Sequence, residues 1–418
     1  PTGLLCGQIL AATSEMIERN ILILHPNLES GGAERQLVNL VSGLVSKKEF
    51  IVKVALYDAR GSLLKEIAKY PSVTIIDLFR EKYGLGGLLV RLLWVVYRGR
   101  FDTIVSLLVG PNLIALIVGR LAGTRTIVWG NRVSTFDKRE FGLKGELVQF
   151  FQKKLSKYVS VIVSNTNEGQ QVQKAQGVKG KKNIVIYNGI DVSRFQFHRH
   201  IRNAVRLELG INQTTLVIGT VARIVEWKGY EIFLEAAALF EDVNRDVLFL
   251  CVGDGDSNVV YKYKKIALGY GIQEKVVWLG DRQDVHRILC ALDIFTLASL
   301  RGEGFSNSVA EAMATSRPVI VTDVGASRRL VGDSGCVVRP GKTSELVEKL
   351  KIFKDELVKR RAVADQYKTL LSGLFTCQHV LDGHESAWAQ FSLLARDIKE
   401  RSFLMEKLEE VEVPTTIY

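Results

Sequence analysis

Two glutamates stand eight residues apart in the segment Arg301–Ala314, which reads RGEGFSNSVAEAMA. Glu303 is flanked by glycines, and Glu311 falls about one turn into a predicted helix. Carboxylates accept hydrogen bonds from sugar hydroxyls, so one glutamate could hold a hexose and the other a ribose. The start of that helix offers free N–H groups and the positive end of its dipole to phosphates. The residues that cover this start are Gly304, Phe305, Ser306, Asn307 and Ser308.

Two cations follow a predicted strand earlier in the chain. Arg223 comes directly after the strand Leu216–Ala222, and Lys228 lies five residues further on, before a helix. Arginine offers a planar fork for phosphate oxygens, and lysine offers a mobile point charge. The pair could hold a diphosphate without a metal, although the same residues could also belong to an ordinary surface loop.

A glycine pair, Gly31 and Gly32, joins the predicted strand Ile21–His25 to an amphipathic helix. Glycines at such a turn let the backbone approach a ligand closely, and the helix start favours an anion. A plain tight turn would use the same residues.

A possible metal motif, Asp254-Gly255-Asp256, follows the strand Val247–Val252. Two aspartates at this spacing could hold a divalent metal, because carboxylate oxygens are hard ligands. Aspartate and glycine are also typical turn residues, and we favour the turn, so no metal or other cofactor is predicted.

Apolar runs alternate with helical patterns along the whole chain, which predicts parallel sheets covered by helices. The first half contains seven strand patterns and the second half six, so the fold class is α/β with two doubly wound, Rossmann-like domains. We place an N-terminal domain at 18–190 and a C-terminal domain at 191–385. A final helix over about 386–409 is expected, by analogy, to return to the first domain.

Taken together, these motifs resemble glycosyltransferase family 4, whose members are retaining enzymes with the GT-B fold. The family pattern includes the glutamate pair, the upstream arginine and lysine, the early glycine loop in G-G-A-E-R, and a signature at the domain joint. That signature is present here as Ile186–Asp191. The resemblance spans roughly residues 18 to 350.

The resemblance implies a role for each motif. Glu311 would bind the nucleotide ribose, and Glu303 would contact the donor sugar near its reacting carbon. Arg223 and Lys228 would neutralise the diphosphate leaving group, and Gly31 and Gly32 would close on the phosphates from the other domain. The N-terminal domain (18–190) would then bind the acceptor and the C-terminal domain (191–385) the nucleotide sugar. The donor is a nucleotide diphosphate sugar, held in the cleft between the domains.

The chain departs from the family pattern at one position. Many relatives have a histidine near the active site in the first domain, where this chain has Asn131 and Arg132 after the strand Thr126–Trp129. His25 is another candidate, so no general base is assigned. The departure permits one alternative, a catalytically inactive subunit that binds nucleotide sugars. A nucleotide-sugar epimerase on the same fold is a second alternative.

Positive charge is concentrated in the first half of the chain. Residues 1–200 hold 28 Lys and Arg against 15 Asp and Glu, whereas residues 201–418 hold 28 against 30. This asymmetry suggests an anionic partner, which we take to be a membrane surface, because no nucleic-acid-binding module is recognisable. The alternative is a solvated basic face.

One segment would suit such a surface. Tyr83–Phe101 combines an apolar run with Arg91, Arg98, Trp94 and Tyr97, as expected of a helix in a membrane interface, although a core helix would also fit. More positive charge follows at Lys138, Arg139, Lys144, Lys153, Lys154 and Lys157.

These features predict a cytoplasmic enzyme, peripheral on the inner face of a membrane, that uses a lipid-linked or polysaccharide acceptor.

The five cysteines are scattered, which argues against a disulfide framework or a zinc site. The chain begins at Pro1, so a native N-terminal segment could precede it.

Overall fold

The computed structural model describes residues 18–29, 31–132, 138–240, 246–371, 376–377, 393–394, 397, 399, 401–403 and 405–406. Within these residues the chain forms two parallel sheets, of seven and six strands, and one short antiparallel pair. The seven-stranded sheet lies before the predicted domain boundary at residue 190, and the six-stranded sheet lies after it.

The first sheet has the strand order β3-β2-β1-β4-β5-β6-β7, and all of its neighbouring strands are parallel. Its central strands are buried on both faces, which explains their nearly unbroken apolar sequence. The strands are β1 (Arg19–His25), β2 (Phe50–Leu56), β3 (Thr74–Asp77), β4 (Thr103–Leu107), β5 (Thr126–Asn131), β6 (Val161–Ser164) and β7 (Lys182–Val185).

Helices connect the strands of this sheet and cover both of its faces. Separate apolar cores lie on the two sides of β1, because its alternate side chains point to opposite faces. A further apolar cluster includes Ile127 and Trp129 of β5 and Ile162 of β6. The helices are α1 (Gly32–Val45), α2 (Leu64–Ile67), α3 (Arg80–Gly99), α4 (Val109–Leu121), α5 (Lys138–Leu155) and α6 (Asn167–Ala175).

The second sheet repeats the arrangement with the order β10-β9-β8-β11-β12-β13. This is the strand order of the dinucleotide-binding fold, in which ligands bind beyond the carboxyl ends of the strands. Its strands are β8 (Leu216–Val221), β9 (Val247–Val252), β10 (Val276–Gly280), β11 (Ile294–Leu297), β12 (Val319–Thr322) and β13 (Cys336–Val338).

Eight α-helical or 3₁₀ segments of this half matter for its packing and for the site. They are α7 (Arg199–Glu208), a 3₁₀ turn (Glu226–Lys228), α8 (Tyr230–Leu239), α9 (Ser257–Gly269), α10 (Val285–Ala291), α11 (Asn307–Ala314), α12 (Ser327–Val331) and α13 (Thr343–Leu371).

The predicted α/β class and all thirteen strand positions are confirmed. The apolar stretch from Ile104 to Leu121 is a strand, a turn and a helix, and no described helix is long and apolar enough to cross a membrane. Most of the C-terminal helix predicted over about 386–409 lies outside the described residues. The prediction is wrong at Leu393–Leu394, which form a strand (β15) paired with Thr376–Cys377 (β14).

The basic and apolar segment Tyr83–Phe101 falls mainly within α3, which is only half buried. Leu88, Leu92 and Val96 pack into the core, while Val90 and Tyr97 on the other side are 70% and 73% exposed. The helix therefore carries apolar residues on both sides but is buried on only one, whereas a core helix would be buried all round. A core-helix interpretation accounts for one of its sides only.

Candidate active site

Glu303 is the most deeply buried carboxylate of the predicted motif, with 3% of the residue exposed. Its Oε1 lies 2.6 Å from the Lys228 ammonium nitrogen and accepts a second hydrogen bond, of 2.5 Å, from the Ser299 hydroxyl. A buried carboxylate is stable only when it is paired and hydrogen-bonded, and these two partners meet that need. The structure thus brings together two of the three residues predicted as catalytic.

Lys228 reaches Glu303 because two strand-end loops of the second sheet pack tightly against each other. The backbone N–H of Leu300 donates to the carbonyl of Trp227, at 2.8 Å. Gly229 adopts a left-handed backbone, and a Cβ there would lie 1.9 Å from the carbonyl oxygen of Ala298. Only glycine therefore fits directly after Lys228.

Arg223, the third predicted catalytic residue, is exposed just beyond the end of β8. The turn Gly253–Gly255 supports this loop, because a Cβ at either glycine would meet the carbonyl of Ala222 or of Ile224. Arg223 lies on the same sheet edge as Lys228, which is itself bonded to Glu303.

The residues predicted to bind the donor lie at the start of α11, as expected. Ser306 is the residue before the helix, and Asn307 and Ser308 form its first turn. Glu311 lies on the buried side of the same helix. Phosphates at this position would meet the free N–H groups of the first turn.

Residues of the first domain contact this loop directly. The Asn307 amide nitrogen donates to the carbonyl of Gly32 at 3.1 Å, which joins two motifs that stand 275 residues apart. The ring of Phe305 lies 6.3 Å from the ring of Tyr187. Gly304 lies so close to the Arg132 carbonyl that an added Cβ would be 3.0 Å from its oxygen. Gly31 is the residue before α1, with an extended backbone.

The Asp254-Gly255-Asp256 segment forms a turn and a helix cap. Asp254 accepts a hydrogen bond from the N–H of Gly255, and Asp256 caps α9 by accepting from the N–H of Asn258. Among the described residues, no three His, Cys, Asp or Glu side chains are grouped as metal ligands.

Two sequence-family models match the chain. A model described as Glycosyltransferase Family 4 matches residues 30–194, and one described as Glycosyl transferases group 1 matches residues 215–353. Together they span well over half of the sequence. The chain belongs to glycosyltransferase family 4.

Named relatives of this family 4 chain act in bacterial glycan synthesis. The chain is 25% identical over 248 residues to UDP-Gal:alpha-D-GlcNAc-diphosphoundecaprenol alpha-1,3-galactosyltransferase of Escherichia coli, covering 58% of this chain and 63% of the relative. It is 26% identical over 181 residues to the lipopolysaccharide core biosynthesis mannosyltransferase LpsB of Rhizobium meliloti, covering 42% and 51%. The matches thus span about half to two thirds of these curated relatives.

Solved structures show the same fold. HepE of Anabaena, solved in complex with UDP-glucose, superposes with a TM-score of 0.70 at 21% identity, covering 80% of this chain and 89% of HepE. The family 4 chain has the GT-B fold, as its sequence predicts.

Several residues around the site were not predicted from the sequence of this family 4 chain. Ser299 donates to Glu303, and Asn188 and Gln36 donate to Asn307. Ser299 does follow the end of β11, where ligand-facing residues are expected, so its position was a usable signal. Gln36 carried no such signal, because a buried glutamine on a helix has no characteristic spacing.

Asn131 and Arg132, where the family pattern led us to expect a histidine, lie at the end of β5. Asn131 is buried, and the Arg132 guanidinium donates to the Asn188 side chain at 2.5 Å. His25 is fully buried, and its Nδ1–H donates to the carbonyl of Asn27 at 2.7 Å. Burial lowers the pKa of His25, which favours the neutral ring.

Glu311 has a strongly shifted pKa. Burial raises its pKa from the usual 4.5 to about 7, although Arg35 and Arg194 nearby act in the opposite direction. Between these two pH values the folded chain binds more protons at this site than the unfolded chain does. The stability that this carboxyl contributes is therefore fully present below pH 4.5 and is lost as the pH rises through 7.

We expect Glu311→Gln, which stays neutral, to remove this pH dependence. The free energy of unfolding of the wild type, minus that of the variant, should fall by about 3 kcal/mol as the pH rises from 4.5 to 7. Urea unfolding of both proteins across this range measures the difference, and the subtraction cancels the other titrating groups. A difference that is constant with pH would contradict the assignment.

Proposed function

We propose that this chain is a glycosyltransferase that moves a sugar from a nucleotide diphosphate sugar to an acceptor hydroxyl, with retention of anomeric configuration. The observation that carries the proposal is the buried Glu303, paired with Lys228 and placed one loop before the helix that bears Glu311. In this proposal Glu303 faces the donor sugar, Lys228 faces the leaving group and Glu311 faces the ribose. Lys228 is bonded to Glu303, and Glu311 lies on the helix that follows the Glu303 loop.

Stabilisation of the leaving diphosphate would supply most of the rate enhancement. Lys228, Arg223 and the N–H groups from Gly304 onward would face the charge that develops on that group. When phosphate oxygens are near, the Lys228 ammonium can share its three N–H donors between Glu303 and the diphosphate. The proposed mechanism needs these donors to be in place before the bond breaks.

The donor and acceptor classes follow from the relatives. The Escherichia coli enzyme is named for a UDP-sugar donor and a diphosphoundecaprenol-linked acceptor, and the Rhizobium enzyme is named for lipopolysaccharide core synthesis. We extend these classes to this chain: a nucleotide sugar donor and a lipid-linked or polysaccharide acceptor.

An assay with UDP- and GDP-sugars and lipid-linked acceptors tests the proposal. Release of free nucleoside diphosphate and a glycosylated product would support transfer. Binding without release would indicate an inactive nucleotide-sugar-binding subunit, and interconversion of donors without an acceptor would indicate an epimerase. Retention is carried over from the family pattern, and the anomeric coupling constant of the product tests it.

We expect Lys228→Ala to lower turnover about a hundredfold or more, because it removes one preorganised charge from the leaving group. Lys262→Ala is the matched control, since Lys262 pairs with Glu226 in the same region but on the exposed surface. Steady-state turnover measures both, with melting curves to show that each variant is folded. Normal turnover in Lys228→Ala would remove Lys228 from the leaving-group role.

We also propose that the transfer needs no divalent metal. Asp254 and Asp256 serve a turn and a helix cap, and Lys228 and Arg223 would supply the positive charge. Activity should therefore survive EDTA treatment. Loss of activity in EDTA with recovery on addition of manganese would favour a metal-dependent mechanism instead.

We further propose that the protein binds peripherally to an anionic membrane, on the inner, cytoplasmic face. Helices α3, α4 and α5 pack side by side on one face of the first sheet. Each carries large apolar side chains that point outward from the protein, as interfacial helices do. These exposed residues are Leu85, Val90, Leu93, Trp94, Tyr97, Ile117, Leu121, Leu147, Phe150 and Phe151, which we call the outer apolar face.

Cations lie on the rings of this region. The Arg91 guanidinium is 4.8 Å from the centre of the Phe79 ring, and the Arg98 guanidinium is 5.3 Å from that of Trp94. Lys154 lies over Phe150 at 5.8 Å. Such pairs place positive charge at the level of lipid phosphates while the rings enter the interface. Lys138, Arg139 and Lys144 were also expected to contribute. The structure describes their backbone as part of α5 but not their side chains.

Liposome flotation tests this membrane association. The protein should float with phosphatidylglycerol vesicles at low salt and much less at high salt, because counter-ions screen surface attraction. The double variant Trp94→Ser/Tyr97→Ser should float several-fold less. The control Tyr261→Ser/Leu268→Ser removes equally exposed apolar side chains from α9 and should float normally.

Two outcomes would contradict the membrane proposal: no flotation of the wild type at any salt concentration, or equal loss of flotation in the two double variants. Neither outcome bears on the transfer reaction.

A further inference from the structure

The side chain of Asn307 is held by hydrogen bonds from the first domain and the domain joint. Its Oδ1 accepts from the amide nitrogen of Asn188 at 2.8 Å, and its Nδ2 donates to the carbonyl of Gly32 at 3.1 Å. Because Asn307 is the first residue of α11, these bonds act at the helix end that we propose for the donor phosphates.

Arg132, Asn188, Asn307 and Gly32 form a series of hydrogen bonds. The donor and acceptor of each bond are fixed by Arg132 at one end and the Gly32 carbonyl at the other. Arginine can only donate, so the atom of Asn188 that faces Arg132 is its oxygen, at 2.5 Å. The Asn188 nitrogen then faces Asn307, whose own oxygen must accept. The Asn307 nitrogen is left to face the Gly32 carbonyl, which can only accept.

Gln36 donates a second hydrogen bond to the Oδ1 atom of Asn307. It is 6% exposed, and its amide nitrogen donates to the carbonyl of Gly189 at 2.9 Å and to Asn307 Oδ1 at 3.5 Å. One side chain of α1 thus contacts both the domain joint and the first residue of α11. Asn39, one turn further along α1, also donates to the Gly189 carbonyl, at 3.2 Å, but is not bonded to Asn307.

We infer that Gln36 and Asn188 are positioning residues: they orient Asn307 and thereby hold the donor-binding start of α11 against the first domain. The close approach of Gly304 to the Arg132 carbonyl supports this, since an added Cβ at that contact would be crowded, at 3.0 Å from the carbonyl oxygen. The contact between the domains and the geometry of the donor site are then set by the same hydrogen bonds. The assignment of this helix start to the donor phosphates rests on the proposed function, whereas the hydrogen-bonded link between the domains does not.

The test compares Gln36→Glu, Gln36→Ala and Asn188→Ala with Asn39→Ala as the matched control. Glutamate keeps the size of Gln36 but places an oxygen against two acceptor oxygens, and alanine provides a second variant if glutamate impairs folding. Two quantities are measured: the radius of gyration by small-angle scattering without ligand, and the dissociation constants of UDP and GDP by calorimetry.

We expect the three test variants to have a larger radius of gyration than the wild type and to bind the nucleotide about fivefold more weakly, the scale of one lost neutral hydrogen bond. Asn39→Ala should match the wild type in both measurements, because it leaves Asn307 untouched. Melting curves identify any variant that is unfolded.

Two results would overturn the inference: unchanged scattering and affinity in all three test variants, or an equal expansion in Asn39→Ala. If no variant and no wild-type protein binds UDP or GDP, while the scattering differences are as expected, the positioning of Asn307 stands and the proposed donor class fails.

Discussion

The parallel pairing of every strand in both main sheets is the constraint on which the site depends. Parallel strands all end at the same edge, so every strand-to-helix turn of a sheet is gathered there. In the second sheet this brings the loops after β8 and β11 together, and with them Lys228, Ser299 and Glu303. The first sheet presents Gly32 and Arg132 at its own edge, and the two edges meet at the loop that precedes α11.

The two glutamates of the motif show how differently a structure can treat the same residue type. Glu303 is buried beside a lysine and a hydroxyl that compensate the loss of water around its charge. Among the residues that the structure describes, no cation is hydrogen-bonded to the buried Glu311, so desolvation dominates and its pKa rises to about 7. Their spacing of eight residues places one in the loop and the other on the buried side of the helix. The two carboxylates therefore differ in their electrostatic surroundings, although they lie in one motif.

The uneven charge of the sequence corresponds to an uneven surface in the structure. The basic excess lies in the first half of the chain, and there the outer apolar face is accompanied by arginine and lysine side chains. Exposed apolar side chains on three adjacent helices are unusual for a protein that meets only water. None of these exposed side chains is among the site residues named above, so a surface role and a chemical role can coexist in one domain.

How much of this protein could be predicted from its sequence depends on the range of the interactions involved. The thirteen strands, the α/β class and the residues at the start of α11 were predictable, because apolar periodicity and glycine-flanked loops are local properties. The two short segments at Thr376–Cys377 and Leu393–Leu394 were not, because strand pairing at that length depends on a partner rather than on propensity. The sequence could name Glu303 and Lys228 but could not pair them, since 75 residues separate them in the chain. Contacts such as Asn307 with Gly32, Gln36 and Asn188 were decided only by the tertiary structure, because hydrogen bonds between distant side chains depend on where two sheet edges meet.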